Sequence, residues 1–254
     1  MSEVVTYERR GPVAWLTINR PEARNALNAA VRSGLWEGIS TFNDDGAAKV
    51  LVLTGAGEVA FSAGADLKEM ATTSMEVPPD DFLPEMGRNI EVVKPTIAAV
   101  NGVCFAGGFA LAQTCDLCVA ATSATFAISE AKVGRGAPWA APLLSMVPKR
   151  IMLELLMTAA PMSAQRAYEV GLVNAVVHPG ELESHTQAIA EQIAANAPLS
   201  VKAAKAMVRA LDDKTSADAF TKAAAIWEPV YRSSDAQEGP AAFAERRTPM
   251  WQDR

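Results

Sequence analysis

Apolar positions along this chain change period several times, and each change marks an element. Val4 to Glu8 and Val13 to Asn19 have strand character on either side of Gly11-Pro12, which predicts a hairpin. From Asn28 through Phe42, the apolar residues Ala30, Val31, Leu35, Ile39 and Phe42 recur at helical spacing, and Asn43-Asp44-Asp45-Gly46 ends that helix. Lys49 to Thr54 and Thr96 to Asn101 read as buried strands. Between them, residues 66 to 93 carry the pattern of one or two helices, broken by the polar, proline-containing stretch Thr72 to Asp81, where a mobile loop is expected. Gly107 to Thr114 has the small-residue, apolar pattern of a buried helix, and Leu117 to Ala120 with Thr125 to Ile128 adds further strand. Strand and helix therefore alternate through the first half, which predicts an α/β layer arrangement around a mostly parallel sheet.

From Lys149 onward the patterns are nearly all helical: Ile151 to Thr158, Ser163 to Val170, Leu182 to Ala194, Ser200 to Leu211 and Ala217 to Tyr231. Ser163-Ala164-Gln165 and Ser200-Val201-Lys202 look like helix starts, with Pro198 as punctuation. These helices carry more apolar surface than a solvated tail needs, Trp227, Val230 and Phe243 included, and packing against another subunit is the expected outlet.

Composition narrows the function classes. In 254 residues, half are hydrophobic and a fifth charged, enough for one large core with a helical appendage. A formal net charge of −6, with Lys and Arg scattered rather than blocked, leaves no footprint for nucleic acid. Met1-Ser2-Glu3-Val4 lacks the character of a signal peptide and no apolar run approaches membrane-spanning length, so a cytoplasmic protein with no membrane partner is expected. The three cysteines, Cys104, Cys115 and Cys118, suit a reducing compartment. Cys115-Asp116-Leu117-Cys118 has no companion pair, and His178 and His185 lie far off, so it reads as core and helix end and no metal is expected. Gly55-Ala56-Gly57-Glu58-Val59-Ala60 has the spacing of a dinucleotide-binding loop. The helix that should open at Gly57 is interrupted by Phe61 to Gly64, which argues against nicotinamide or flavin.

Two junctions share a shape. Val50 to Thr54 leads to Ser62-Ala63-Gly64-Ala65-Asp66, and Thr96 to Val100 leads to Phe105-Ala106-Gly107-Gly108. Each places small residues where the backbone turns into a helix start and leaves N–H groups uncovered. Brought together, two such junctions hold one developing negative charge from two sides.

Five segments, in order, resemble the crotonase or enoyl-CoA hydratase/isomerase superfamily over nearly the whole chain: Asn19 to Leu27, Phe61 to Met70, Asn101 to Gly108, Ser163 to Val173, and Glu238 to Arg247. The resemblance implies a spiral of strand-strand-helix turns over residues 1–195 and a helical C-terminal oligomerisation segment over 196–254, assembling as a homotrimer or homohexamer. It implies an acyl-CoA thioester as substrate, with coenzyme A entering only as part of it and no other cofactor. By position, the thioester oxygen would rest on the N–H groups of Ala65 and Gly107. The CoA contacts would fall on Ala63, Ala65, Asp66, Leu67 and Lys68, with Arg24 near the phosphates and Trp139 lining the acyl pocket.

The chain departs from that family's hydratases at one of their two glutamates. The first falls on Ala110, three residues after Gly107; the second falls on Glu130, whose apolar surroundings should raise its pKa toward that of a neutral-pH base. Adding water across a double bond asks for two acid/base groups, whereas moving a double bond asks for one. The expected reaction is therefore a shift of 3-enoyl-CoA to 2-enoyl-CoA, and Gly136-Ala137-Pro138-Trp139 looks like the isomerase branch. Three alternatives stay open: 2-enoyl-CoA hydration, with Glu130 alone or with an acid such as Glu69 or Glu85; another enolate reaction; and non-catalytic acyl-CoA binding.

Overall fold

The computed structural model describes residues 3–73, 78–211, 225, 228–229, 232–236, 238, 242, 245 and 247–254. The predicted hairpin forms from β1 (Val5–Arg10) and β2 (Val13–Ile18), antiparallel with Val5 opposite Ile18. The first long helix, α1 (Ala29–Asp44), starts where Asn28 accepts the Val31 N–H at 3.0 Å, and Asp45 caps its end. There follow β3 (Val50–Gly55), β4 (Ala60–Ser62), α2 (Leu67–Thr73), β5 (Thr96–Val100), β6 (Val103–Phe105), α3 (Gly107–Thr114), β7 (Leu117–Ala121) and β8 (Thr125–Ala127). Further along come α4 (Leu143–Met146), α5 (Lys149–Thr158), β9 (Met162–Ser163), α6 (Ala164–Glu169), β10 (Ala175–Val177), α7 (Leu182–Ala194) and α8 (Pro198–Leu211).

Two sheets result. The larger runs β1-β2-β3-β5-β7-β10, parallel except for the opening hairpin; the smaller runs β4-β6-β8-β9, parallel except at its β9 edge. The central strands are apolar at consecutive positions because both of their faces are covered. On β3, Leu51 and Leu53 join the core that holds Leu35, Ile39 and Phe42 of α1, while Val50 and Val52 pack with Leu182 and Ala190 of α7. All three cysteines are buried free thiols, and burial pushes the Cys118 thiol up to about 12.

Several expectations need correction. Residues 82 to 93 form no helix: Pro84, the left-handed Gly87 (φ +89) and Asn89, whose side chain accepts the Glu85 N–H at 2.8 Å, give a compact turn instead. Of the stretch Thr72 to Asp81, residues 74–77 lie outside the described residues. The second half is not purely helical, since β9 and β10 extend the two sheets; strands of two or three residues are too short to show a period. Helix α8 starts at Pro198 rather than Ser200, which fits a residue with fixed φ and no N–H to leave unpaired. Of the helix expected over Ala217 to Tyr231, residues 225 and 228–229 are described and are helical; the rest of it, with Trp227 and Val230, and Phe243 further on, lie outside the described residues. Among the described residues no helix is long and apolar enough to cross a membrane.

Candidate active site

The two Ala-Gly junctions meet. Strand β4 delivers Ser62-Ala63-Gly64-Ala65, and its neighbour β6 delivers Ala106-Gly107 at the start of α3. Contact is close because Gly64 has no side chain: a Cβ there would stand 2.8 Å from Ala106 Cβ, 3.0 Å from Phe105 O and 3.3 Å from Gly107 N. The two chain reversals are held by the Ala106 N–H donating to Ala127 O at 3.0 Å, and by the Leu27 N–H donating to Gly64 O at 2.8 Å. Ala65 N lies 3.8 Å from where a Gly107 Cβ would be. Neither the Ala65 nor the Gly107 N–H finds an acceptor among the described residues, and both residues are only partly covered. Two free donors within a few ångströms, shielded by Leu27 and Leu83, make a pocket for an oxygen that gains charge.

Strain marks the same place. Ala106 has φ 49 and ψ −121, a conformation that glycine adopts readily and alanine does not. Just beyond it, Gly108 lets α3 approach β4, since a Cβ there would come within 2.5 Å of Ser62 O. Ala110 faces the core and brings no proton-transfer group.

Glu130 follows β8 and opens a short 3-10 turn, Glu130–Val133. Its Oε1 accepts the Trp139 indole N–H at 2.6 Å, while Oε2 is buried with no partner. Burial pushes the carboxyl above its usual range, with the Trp139 hydrogen bond and the neighbouring N–H groups of Glu130 and Ser129 pulling the other way. Among the described residues no ion pair joins Glu130 to Lys132. The Trp139 ring stands edge-on to Phe109 of α3, with ring centres 5.6 Å apart, and Trp139 O accepts from Gln113 Nε2 at 2.5 Å.

The remaining sequence-predicted residues line the entry to α2. Asp66 caps that helix through the Lys68 and Glu69 N–H groups and pairs with Arg20 at 2.6 Å, so its carboxylate has its partners within the fold. That Arg20 clamp was missed by sequence reasoning, as were the buried Asn25 and Asn101, whose side chains both donate to Ala60 O and staple the loop between β3 and β4. Ala63 N donates to Arg24 O at 3.0 Å, which brings Arg24 beside the 63–68 segment. Arg24 and Lys68 are exposed cations, and Leu67 is exposed next to them. Glu69 and Glu85 are corrected as spare acids. Glu69 pairs with Arg32 at 2.6 Å and accepts the Ala29 N–H, and Glu85 pairs with Arg88 at 2.6 Å. Among the described residues no three His, Cys, Asp or Glu side chains gather as a metal-binding group.

The family model for enoyl-CoA hydratase/isomerase matches residues 8–254. The chain belongs to this family. It is 38% identical over 264 residues to a carnitinyl-CoA dehydratase of Salmonella typhi, covering all of both chains. It superposes on the enoyl-CoA hydratase of Mycobacterium tuberculosis H37Rv with a TM-score of 0.91 at 38% identity, over the full length of both. The enoyl-CoA hydratase of Bacillus anthracis gives 0.89 at 31% identity, over 99% of this chain and all of the other. The two-sheet α/β architecture is thus the crotonase fold, and this family member is an acyl-CoA enzyme.

Proposed function

We propose that this enoyl-CoA hydratase/isomerase family member shifts the double bond of a 3-enoyl-CoA to the 2-position, with Glu130 as the single acid/base. The observation that carries this reading is one partner-free carboxylate oxygen, at Glu130, in a site where Ala110 leaves no second acid and both Glu69 and Glu85 are committed to arginines. Glu130 Oε2 takes a proton from C2, the electrons of the broken C–H bond flow toward the thioester oxygen, and the dienolate is held by the Ala65 and Gly107 N–H groups. Glu130 then returns the proton to C4, leaving the double bond between C2 and C3. Each donor strengthens its hold as the oxygen gains charge, an effect of about 3–4 kcal/mol per donor. Burial raises the Glu130 pKa, which makes its carboxylate a stronger base for the C2 proton.

The CoA moiety would lie along the backbone of Ala63, Ala65, Asp66, Leu67 and Lys68, with Arg24 and Lys68 as cations for its phosphates and Trp139 as a wall for the acyl chain. A homotrimer or homohexamer is part of the same reading, supported by the resemblance and by exposed apolar residues on α4 and α5, Leu144, Leu153 and Met157.

A second reading is favoured by the names of the relatives, which are dehydratases and hydratases: Glu130 alone removes the C2 proton of a 3-hydroxyacyl-CoA and hands it to the departing hydroxyl. Turnover of a thioester panel, 3-enoyl, 2-enoyl and 3-hydroxyacyl at several chain lengths, separates the two. The expected result is fastest conversion of 3-enoyl-CoA, abolished in Glu130→Gln with CoA affinity intact. Faster hydration than isomerisation selects the second reading, and undiminished turnover in Glu130→Gln removes Glu130 from both.

A further inference from the structure

Among the described residues the Glu130 carboxylate accepts from one side chain, Trp139, and that contact leads back to the helix that carries one of the proposed oxyanion donors. The Trp139 indole N–H reaches Oε1 at 2.6 Å and leaves Oε2 buried and free. Trp139 is itself gripped twice by α3: its ring rests edge-on against Phe109, which in turn contacts Phe126, and its carbonyl accepts from Gln113 one turn further on. Gly107, Phe109 and Gln113 thus belong to one eight-residue helix, α3, whose first residue carries one of the proposed oxyanion donors.

We infer that Trp139 is the positioning residue for the Glu130 carboxylate, orienting Oε2 toward the oxyanion pocket and tying the base to α3 through Phe109 and Gln113. A carboxylate at the start of a short 3-10 turn can swing about several bonds; one donor on Oε1 removes the rotation that would turn Oε2 away. The same bond favours the ionised form, opposing burial. Among charged neighbours, Lys132 shares its turn, Arg135 follows it with its backbone N–H donating to Glu130 O at 3.0 Å, and Lys149, Arg150 and Glu154 belong to α5, which packs against that turn; among the described residues no ion pair joins Glu130 to Lys132, Lys149 or Arg150, and α3 contributes no titratable side chain. Trp139 therefore sets the direction of the base and offsets part of the burial that disfavours its charge.

This inference rests on the proposed role of Glu130, and its test separates the two. Trp139→Phe keeps the ring against Phe109 and loses the N–H. The expected result is kcat lower by about tenfold to a hundredfold, KM changed by less than about twofold, and the rising limb of the kcat–pH profile moved to higher pH by about one unit. A readout independent of turnover is the indole N–H resonance of Trp139, one of five tryptophans: it should titrate with pH, vanish in Trp139→Phe and stop titrating in Glu130→Gln. If Trp139→Phe does not fold, Gln113→Leu, which frees the Trp139 carbonyl and spares the indole, should still lower kcat and move the same limb upward. An unmoved pH limb in the variant that folds, or an indole resonance that ignores pH, overturns the inference. If Glu130→Gln retains full turnover while the indole titrates in the unsubstituted protein and not in that variant, the proposed function fails and the Trp139–Glu130 link stands.

Discussion

At the scale of single residues, Ala106 is the position where local preference is overruled. Its backbone conformation, φ 49 and ψ −121, costs a non-glycine residue about 1–3 kcal/mol, and it is held there by the turn that points the next N–H outward. Ala106→Gly should release that strain against an entropic cost of about 0.5–1 kcal/mol, so a net gain of about 1 kcal/mol in unfolding free energy is expected, read from a raised denaturation midpoint. Lower stability in this variant would show that the methyl group packs better than it strains. Gly107, Ala110 and Glu130 could be singled out in the linear chain because each sits in a recognisable segment. Trp139 was legible only as a wall for the acyl chain; its bond to Glu130 spans nine positions across two irregular turns, a distance that no helix or strand period encodes.

At the scale of elements, the site is the meeting of β4 with the start of α3, and Gly64 sets how near they come. With φ +92 and Ala106 Cβ 2.8 Å from where its own Cβ would stand, Gly64→Ala would suffer both a strained backbone and overlap with Ala106. A loss of about 2–4 kcal/mol in stability is expected, with turnover down by about a hundredfold as the two donors move apart. Full activity in a folded Gly64→Ala protein would mean that the donors do not act together. Long elements such as α1, α5 and α7 were readable because their apolar positions repeat over two turns or more, and α3 because its run of small and apolar residues suits a helix buried on all sides. Strands β4, β6, β9 and β10 were not, since two or three residues cannot show alternation and owe their form to the strands beside them.

At the scale of the whole molecule, apolar side chains left exposed on α4 and α5 would be covered in an assembly. The proposed homotrimer or homohexamer of this 26.9 kDa chain predicts a light-scattering mass of three or six chain equivalents, undiminished on dilution through the micromolar range. A mass of one chain would remove the oligomer from the reading and leave those helices in need of another explanation.

Local interactions alone determined the hairpin, the capped start of α1 at Asn28, the buried strands with apolar residues on both faces, and the small-residue runs on which a backbone can turn sharply. Each of these depends on neighbours within a few positions, where side-chain periodicity and capping groups act directly. Only the tertiary structure decided that Ala65 and Gly107, 42 positions apart in the numbering, share one pocket, that Asp66 turns to Arg20, and that Trp139 faces Glu130. Those meetings follow from strand register and helix packing, and register is a property of pairs of strands that no single segment contains.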